Sequence, residues 1–247
     1  MLSNYRLKIQ YDGTKYRGWQ RQRGNSDTVQ GKIEQVLGRL YGKELEIAGA
    51  GRTDAGVHAY CQIANFHLET KDTPDKIRDS LNEYLPQDIR ILEVEQAGER
   101  FHSRLNATGK VYEYHLVKKD YYDVFARKYS WQMEKELDLE KMRKAAELLL
   151  GQHDFKGFCT RASKKKSTIR RLDAVKVWET KKDIFLRFEG SGFLYHMVRI
   201  LTGTLVEIGA GERQIESIRQ VLETGDRTLA GETAPAQGLT LISVKYE

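Results

Sequence analysis

Between Gly51 and Ala59 the chain reads Gly-Arg-Thr-Asp-Ala-Gly-Val-His-Ala, which puts a guanidinium, a carboxylate and an imidazole within seven residues. Asp54 stands between Gly51 and Gly56, and glycines permit positive φ and close approach by another segment. Two readings fit these residue types. Asp-Ala-Gly is ordinary turn composition, with Arg52 a solvated charge. Alternatively, Asp54 is a carboxylate nucleophile or base, held ionised by a neighbouring guanidinium. Spacing alone favours the turn, and composition does not choose between them.

Other residues have a plain and a chemical reading too. Lys110-Val111-Tyr112-Glu113-Tyr114 alternates, so Tyr112, Tyr114 and Leu116 share one strand face, where most tyrosines pack in a core. Arg199 lies just off the apolar stripe of a helix and shares a face with His196 at i, i+3. By default it is a solvated or ion-paired arginine. Lys15–Arg23 carries Lys15, Arg17, Arg21 and Arg23 interleaved with Tyr16 and Trp19, with no acid. Arg161–Arg171 holds six basic residues in eleven, again with no acid. Charge runs are usually solvated, but basic residues between aromatics also suit an RNA backbone. Cys61 and Cys159 are the only cysteines. With no CxxC, zinc ribbons, thioredoxin-type sites and disulfide frameworks drop out, and each reads as a small buried hydrophobe. No metal site is expected.

The elements that must position these groups follow from periodicity. Tyr5, Leu7, Ile9 and Tyr11 alternate with Arg6, Lys8 and Gln10, which predicts a half-buried strand. Val29, Ile33, Val36, Leu37 and Leu40 follow helical spacing behind a cap at Asp27 or Thr28. Strands are expected at Leu45–Ala50 and Gln62–Leu68, then a helix opened by Thr73-Pro74. The next strand, Ile89–Gln96, changes phase at Ile91-Leu92, which predicts a bulge. The second half repeats the order: a strand at Lys110–Lys118, a helix from Asp138 to Leu150, and a hairpin of Leu172–Trp178 with Ile184–Phe188. A buried helix over Phe193–Ile208, another over Gln214–Thr224 and a strand at Leu239–Tyr246 complete it. The expectation is an α+β fold of two ferredoxin-like βαββαβ halves, residues 1–105 and 106–247, with sheets side by side and a cleft between them.

The 247 residues suffice for such a core, and 41 Lys+Arg against 35 Asp+Glu leave +6, mildly favouring a polyanionic partner. Arg6 and Lys8 interrupt the apolar start, unlike a signal peptide. No uncharged apolar run approaches the ~18–20 residues of a membrane helix. The chain reads as cytoplasmic.

The string Gly51–Ala59 resembles the signature of the tRNA pseudouridine synthase A family. Tyr11-Asp12-Gly13, Gly18-Trp19-Gln20, Thr28-Val29-Gln30, the Lys110–Tyr114 strand, Gly192–Arg199, Asp226-Arg227 and Gly238-Leu239 are similar to further segments of it. The resemblance implies a cofactor-free isomerase that detaches uracil from ribose C1′, rotates it and rejoins it through C5. The implied substrates are uridines 38, 39 and 40 of the tRNA anticodon stem–loop, bound by a homodimer. It also implies Asp54 as the nucleophile, Tyr112 as the residue stacked on the extruded base and Arg199 as the counter-ion of Asp54, with Arg52 also at the substrate. Such stacking is worth about 1–3 kcal/mol. Lys15, Arg17, Arg21 and Arg23 are then backbone contacts, and His58 and His196 are structural or RNA-facing. The stretch Arg161–Arg171 has no place in the pattern.

Two rivals are weaker. A non-catalytic RNA-binding protein would share the βαββαβ order, but neither half holds an RNP1-like string. A carboxylate glycoside hydrolase would want a second acid, and Gly51–Ala59 supplies none.

Overall fold

A computed structural model describes residues 2–22, 24, 27–160 and 167–246. The expected contact at Arg23 and residues 161–166 of the second basic stretch lie outside the described residues. From the N-terminus the elements are β1 (Leu2–Tyr11), α1 (Val29–Tyr41), β2 (Ala48–Gly49), β3 (His58–Glu69), α2 (Pro74–Tyr84) and β4 (Ile89–Ala97). There follow β5 (Gly109–Val117), β6 (Trp131–Gln132), α3 (Leu139–Glu147), β7 (Gly151–Asp154), β8 (Ile169–Glu179) and β9 (Asp183–Gly190). Helices α4 (Met197–Gly209) and α5 (Ser217–Thr224) precede β10 (Leu239–Lys245). The fold is α+β and divides into two compact units, Met1–Thr108 with Thr240–Glu247, and Gly109–Leu239.

In the first unit β1 is central, antiparallel to both β3 and β4. Its Leu7 and Ile9 are fully buried, while Arg6, Lys8 and Gln10 on the other face keep partial exposure. The register along β4 slips between Lys8↔Glu93 and Ile9↔Ile91, leaving Leu92 as the extra residue of a bulge, turned outward. Thr28 Oγ1 accepts from Gly31 N (3.1 Å) to start α1, and Thr73 caps α2 ahead of Pro74.

The strand expected at Leu45–Ala50 shrinks to Ala48–Gly49, which pairs with β3. The cause lies in α1. Ile47 N donates to Glu34 Oε1 (3.0 Å) and Ile47 O accepts from Gln30 Nε2 (3.1 Å), so side chains take the backbone groups a ladder would use. β3 is longer than expected and begins inside the Gly51–Ala59 string, at His58. The closing strand was expected with the second half. It instead pairs in parallel with β3, Thr240 opposite His58, and Tyr246 Oη donates to Ser103 O (2.6 Å), so residues 240–247 belong to the first unit.

In the second unit β5, β9, β8 and β7 form an antiparallel run, and β6 lies parallel to β5. Asp138 caps α3, accepting from Lys141 N at 3.0 Å. α3 ends sooner than expected, at Glu147, and Gly151, at φ +92, begins β7. β6 and β7 were not anticipated, because Trp-Gln and Gly-Gln-His-Asp show no apolar alternation. α4 begins at Met197, later than the apolar run suggests, because His196 before it is left-handed (φ +63).

Candidate active site

The Gly51–Ala59 string folds as a turn, and the turn is the means of presenting Asp54. Val57 N donates to Asp54 O (3.2 Å) with Gly56 at φ +82, the positive angle that a type II turn requires at its third residue. Thr53 is buried and its hydroxyl meets Tyr11 Oη at 2.8 Å. Burial drives the Tyr11 phenol far above its ordinary range, so it stays a neutral hydrogen-bonding group. Trp19 N donates to Thr53 O (3.1 Å). Gly18, at φ +90, lies so close that a Cβ there would stand 2.6 Å from Thr53 O. A Cβ on Gly13 would stand 2.0 Å from Val57 O. The Asp54 carboxylate, half-buried, thus sits on backbone clamped from both ends of the turn.

Around this loop the polar side chains form a chain. Arg52 Nε donates to Gln20 Oε1 (3.0 Å), and Gln20 Nε2 to Gln30 Oε1 (2.7 Å). Gln30 Nε2 donates to Glu34 Oε1 (2.7 Å), and Glu34 Oε2 lies 3.2 Å from Arg21 Nη1. Gln30 and Glu34 are buried, so Arg52 is oriented by the first turns of α1. His58 is buried too. Its Nδ1 lies 3.1 Å from Gly13 N and 3.2 Å from Asp12 Oδ1, which makes this histidine an anchor for the Asp12-Gly13 segment.

In the second unit Tyr112 on β5 is 7% exposed, its ring edge-on to Phe193 at 5.2 Å. Tyr114, two residues on, is fully buried. Its hydroxyl donates to Pro235 O (2.6 Å), and Gly238 lies flush on its ring. Arg199, in the first turn of α4, is pinned twice to one residue: Nε donates to Ala234 O (2.7 Å), and Arg199 O accepts from Ala234 N (3.1 Å). His196 stacks on Tyr195 and shares a hydrogen bond between its Nδ1 and Thr160 Oγ1 (3.1 Å).

Of the basic residues foreseen as backbone contacts, Lys15 and Arg17 are exposed, and Arg21 is half engaged with Glu34. The aromatics interleaved with them lie under the surface. Tyr16 and Trp19 are buried, Trp19 beneath Gly49 and beside Tyr11. The clamp residues Gly13 and Gly18 and the Gln30–Glu34 pair escaped the sequence reading as site components, although Gly13, Gly18 and Gln30 lie in strings it singled out. Among the described residues no three His, Cys, Asp or Glu group as for a metal, and no helix is long and apolar enough to cross a membrane.

The chain matches the family model described as tRNA pseudouridine synthase over residues 8–106 and 145–247. A protein of Bacillus sp. (strain KSM-64) named tRNA pseudouridine synthase A is 45% identical over 245 residues, 99% of this chain and 100% of its own. The tRNA pseudouridine synthase A 2 of Clostridium tetani is 39% identical over 247 residues, covering 100% of both chains. Among solved structures, a Cbf5–Nop10–Gar1 complex is a distant likeness, 15% identical with a TM-score of 0.40 over 96% of this chain and 48% of its own. The chain belongs to the tRNA pseudouridine synthase family.

Proposed function

We propose that this protein converts uridine to pseudouridine at positions 38, 39 and 40 of the tRNA anticodon stem–loop, with Asp54 as the nucleophile. As a member of its family it is an isomerase acting on tRNA, and a non-catalytic RNA-binding role is not favoured. In the reaction the C1′–N1 bond breaks, uracil rotates, and a C1′–C5 bond forms. C5 gives up its proton and N1 gains one. Nothing is oxidised or reduced, so the chemistry calls for no cofactor. A carboxylate can trap or stabilise the oxocarbenium-like sugar, as in retaining glycosidases, provided water is kept away.

The observation that carries this reading is the clamped backbone under Asp54, held through Thr53 and by the close approach of Gly13 and Gly18. A carboxylate fixed before substrate arrives avoids reorganisation at the moment of attack. In the same reading Tyr112 stacks on the extruded uracil, Arg52 meets the substrate, Arg199 balances the charge of Asp54, and Lys15, Arg17, Arg21 and Arg23 hold phosphates. The two units are ferredoxin-like in this proposal. For the first unit, the neighbour order β4-β1-β3-β2 with two helices supports that. A homodimer, as the motif resemblance implies, in the cytoplasm, as the composition suggests, completes the reading.

The test is Asp54→Asn, isosteric but a poor nucleophile. Pseudouridine formation should disappear while the melting temperature and tRNA affinity stay near the parental values. Substantial pseudouridine from a clean D54N preparation would falsify the assignment.

A further inference from the structure

Arg170, the second residue of β8, is half-buried and carries a charge with no opposite number. Its Nη1 donates to the carbonyls of Ser167 (3.0 Å) and Ile169 (2.6 Å). Those bonds satisfy hydrogens but supply no counter-charge. Among the described residues no carboxylate pairs with it, and the sequence Arg161–Arg171 contains no Asp or Glu. Its neighbours are different. Arg171 Nε meets Asp173 at 2.7 Å, Arg187 meets Glu113 at 2.5 Å, and Arg213 meets Glu207 at 2.7 Å. A guanidinium withdrawn from water without a partner is costly. Here burial pushes its pKa down, with only the Cys159 sulfur opposing. A bound anion would offset that cost.

The surroundings suit one kind of anion. A Cβ on Gly192 would stand 3.9 Å from Arg170 Nε and, among the described residues, within 4 Å of no other beyond its chain neighbours, so the described residues leave space on that flank of the guanidinium. Three residues further on, Tyr195 is 42% exposed and stacked on His196 at 3.8 Å between ring centroids. Thr160, next to Cys159, bonds to His196. An exposed aromatic three residues from Gly192 and a hydroxyl next to Cys159, on the two segments that approach the uncompensated guanidinium, match a base, a ribose and a phosphate along one strand. The planar fork of arginine suits a phosphate better than a point charge does.

We propose that Arg170 holds a phosphodiester of the substrate RNA beside the Tyr195–His196 stack. This rests on the reading of the protein as a tRNA isomerase, and it gives the unplaced basic stretch a role through one residue.

The first test is Arg170→Gln. Binding of unmodified tRNA should weaken by roughly tenfold at moderate salt, and the log–log salt dependence should flatten by about 0.7–0.9. Arg171→Gln, whose guanidinium already has Asp173, should leave the slope unchanged. A parental slope in R170Q overturns the proposal, whether or not the variant melts lower. The second test needs no variant. Phenylglyoxal modification of Arg170 in the parental protein, read by peptide mass spectrometry, should be suppressed by saturating tRNA and not by the same concentration of inorganic phosphate. Absence of protection by tRNA, or equal protection by free phosphate, overturns it. Pseudouridine formation by the parental protein is measured alongside. Turnover without protection sinks this proposal alone, whereas no turnover sinks the reading beneath it.

Discussion

The two segments that carry the candidate chemistry are made rigid by opposite means. Asp54 lies on irregular chain, and its position comes from glycines elsewhere that let backbone press on backbone: Gly13 against Val57, Gly18 against Thr53. Arg199 lies on a regular helix, and its position comes from the helix itself plus two bonds to Ala234. A loop fixed by contact is intolerant at residues far from it in sequence. A side chain fixed by a helix is tolerant of change just outside the helix. This difference predicts where substitutions do damage, and each of the following experiments bears on it.

The largest effect is expected at Gly18. Alanine there must adopt φ +90 and place Cβ 2.6 Å from Thr53 O, a backbone atom with nowhere to go. Strain and overpacking together should cost about 3 kcal/mol or more, and pseudouridine formation should fall with the displaced Asp54. Gly24 is the control. It also has positive φ, +73, but a Cβ there meets nothing within 4 Å among the described residues. Gly24→Ala should cost only the conformational term, roughly 1 kcal/mol, with turnover preserved. Denaturant melts beside single-turnover rates decide it. Equal effects at the two glycines would mean that φ, and not the clamp, governs the loop.

A smaller and more divided effect is expected along β5. Tyr114→Leu loses the bond to Pro235 and opens space beside Gly238, so it should destabilise by about 3 kcal/mol and reduce turnover only through unfolding. Tyr112→Leu should cost less stability, since its ring leans on Phe193 at the edge of the core. It should instead weaken capture of the flipped base by about 1–3 kcal/mol. Tyr112→Phe keeps the ring and should keep binding. If Tyr112→Leu melts early yet turns over at the parental rate, Tyr112 belongs with Tyr114 and its stacking role is lost.

What could be read from sequence was whatever local periodicity and caps decide. The alternation of β1, the Thr28 and Thr73 caps and the bulge at Leu92 each depend on a few neighbouring residues. What could not be read depends on partners distant in sequence. Ile47 looks like strand, but Glu34 and Gln30 take its backbone groups from 13 and 17 residues away. Arg21 sits in an acid-free stretch and still finds Glu34, while Arg170 sits in another and finds no acid among the described residues. An acid-free run in sequence therefore says nothing about counter-charge in space. Tyr16 and Trp19 between basic residues suggested an RNA surface, yet both side chains are buried. Gly18 announced positive φ by its type, but the backbone it presses on was invisible until the fold brought Thr53 alongside.

The smallest effect is expected at His196, where the helix-built segment begins. His196 is the only non-glycine at positive φ among the described residues, at +63. Asparagine visits this region about as readily as histidine, because a short polar side chain bonds locally there. It can also keep a polar contact with the Thr160 hydroxyl. His196→Asn should therefore shift stability by no more than about 0.5 kcal/mol, and with Arg199 still pinned to Ala234, turnover at saturating tRNA should match the parental rate. His196→Val is the sharpening control: a β-branched residue at this φ should cost roughly 1–2 kcal/mol. Because α4 continues regular behind it, turnover per folded molecule should still hold. If His196→Asn loses turnover at parental stability, the imidazole itself has a part in the reaction, and the segment around Arg199 is less forgiving than its helix suggests.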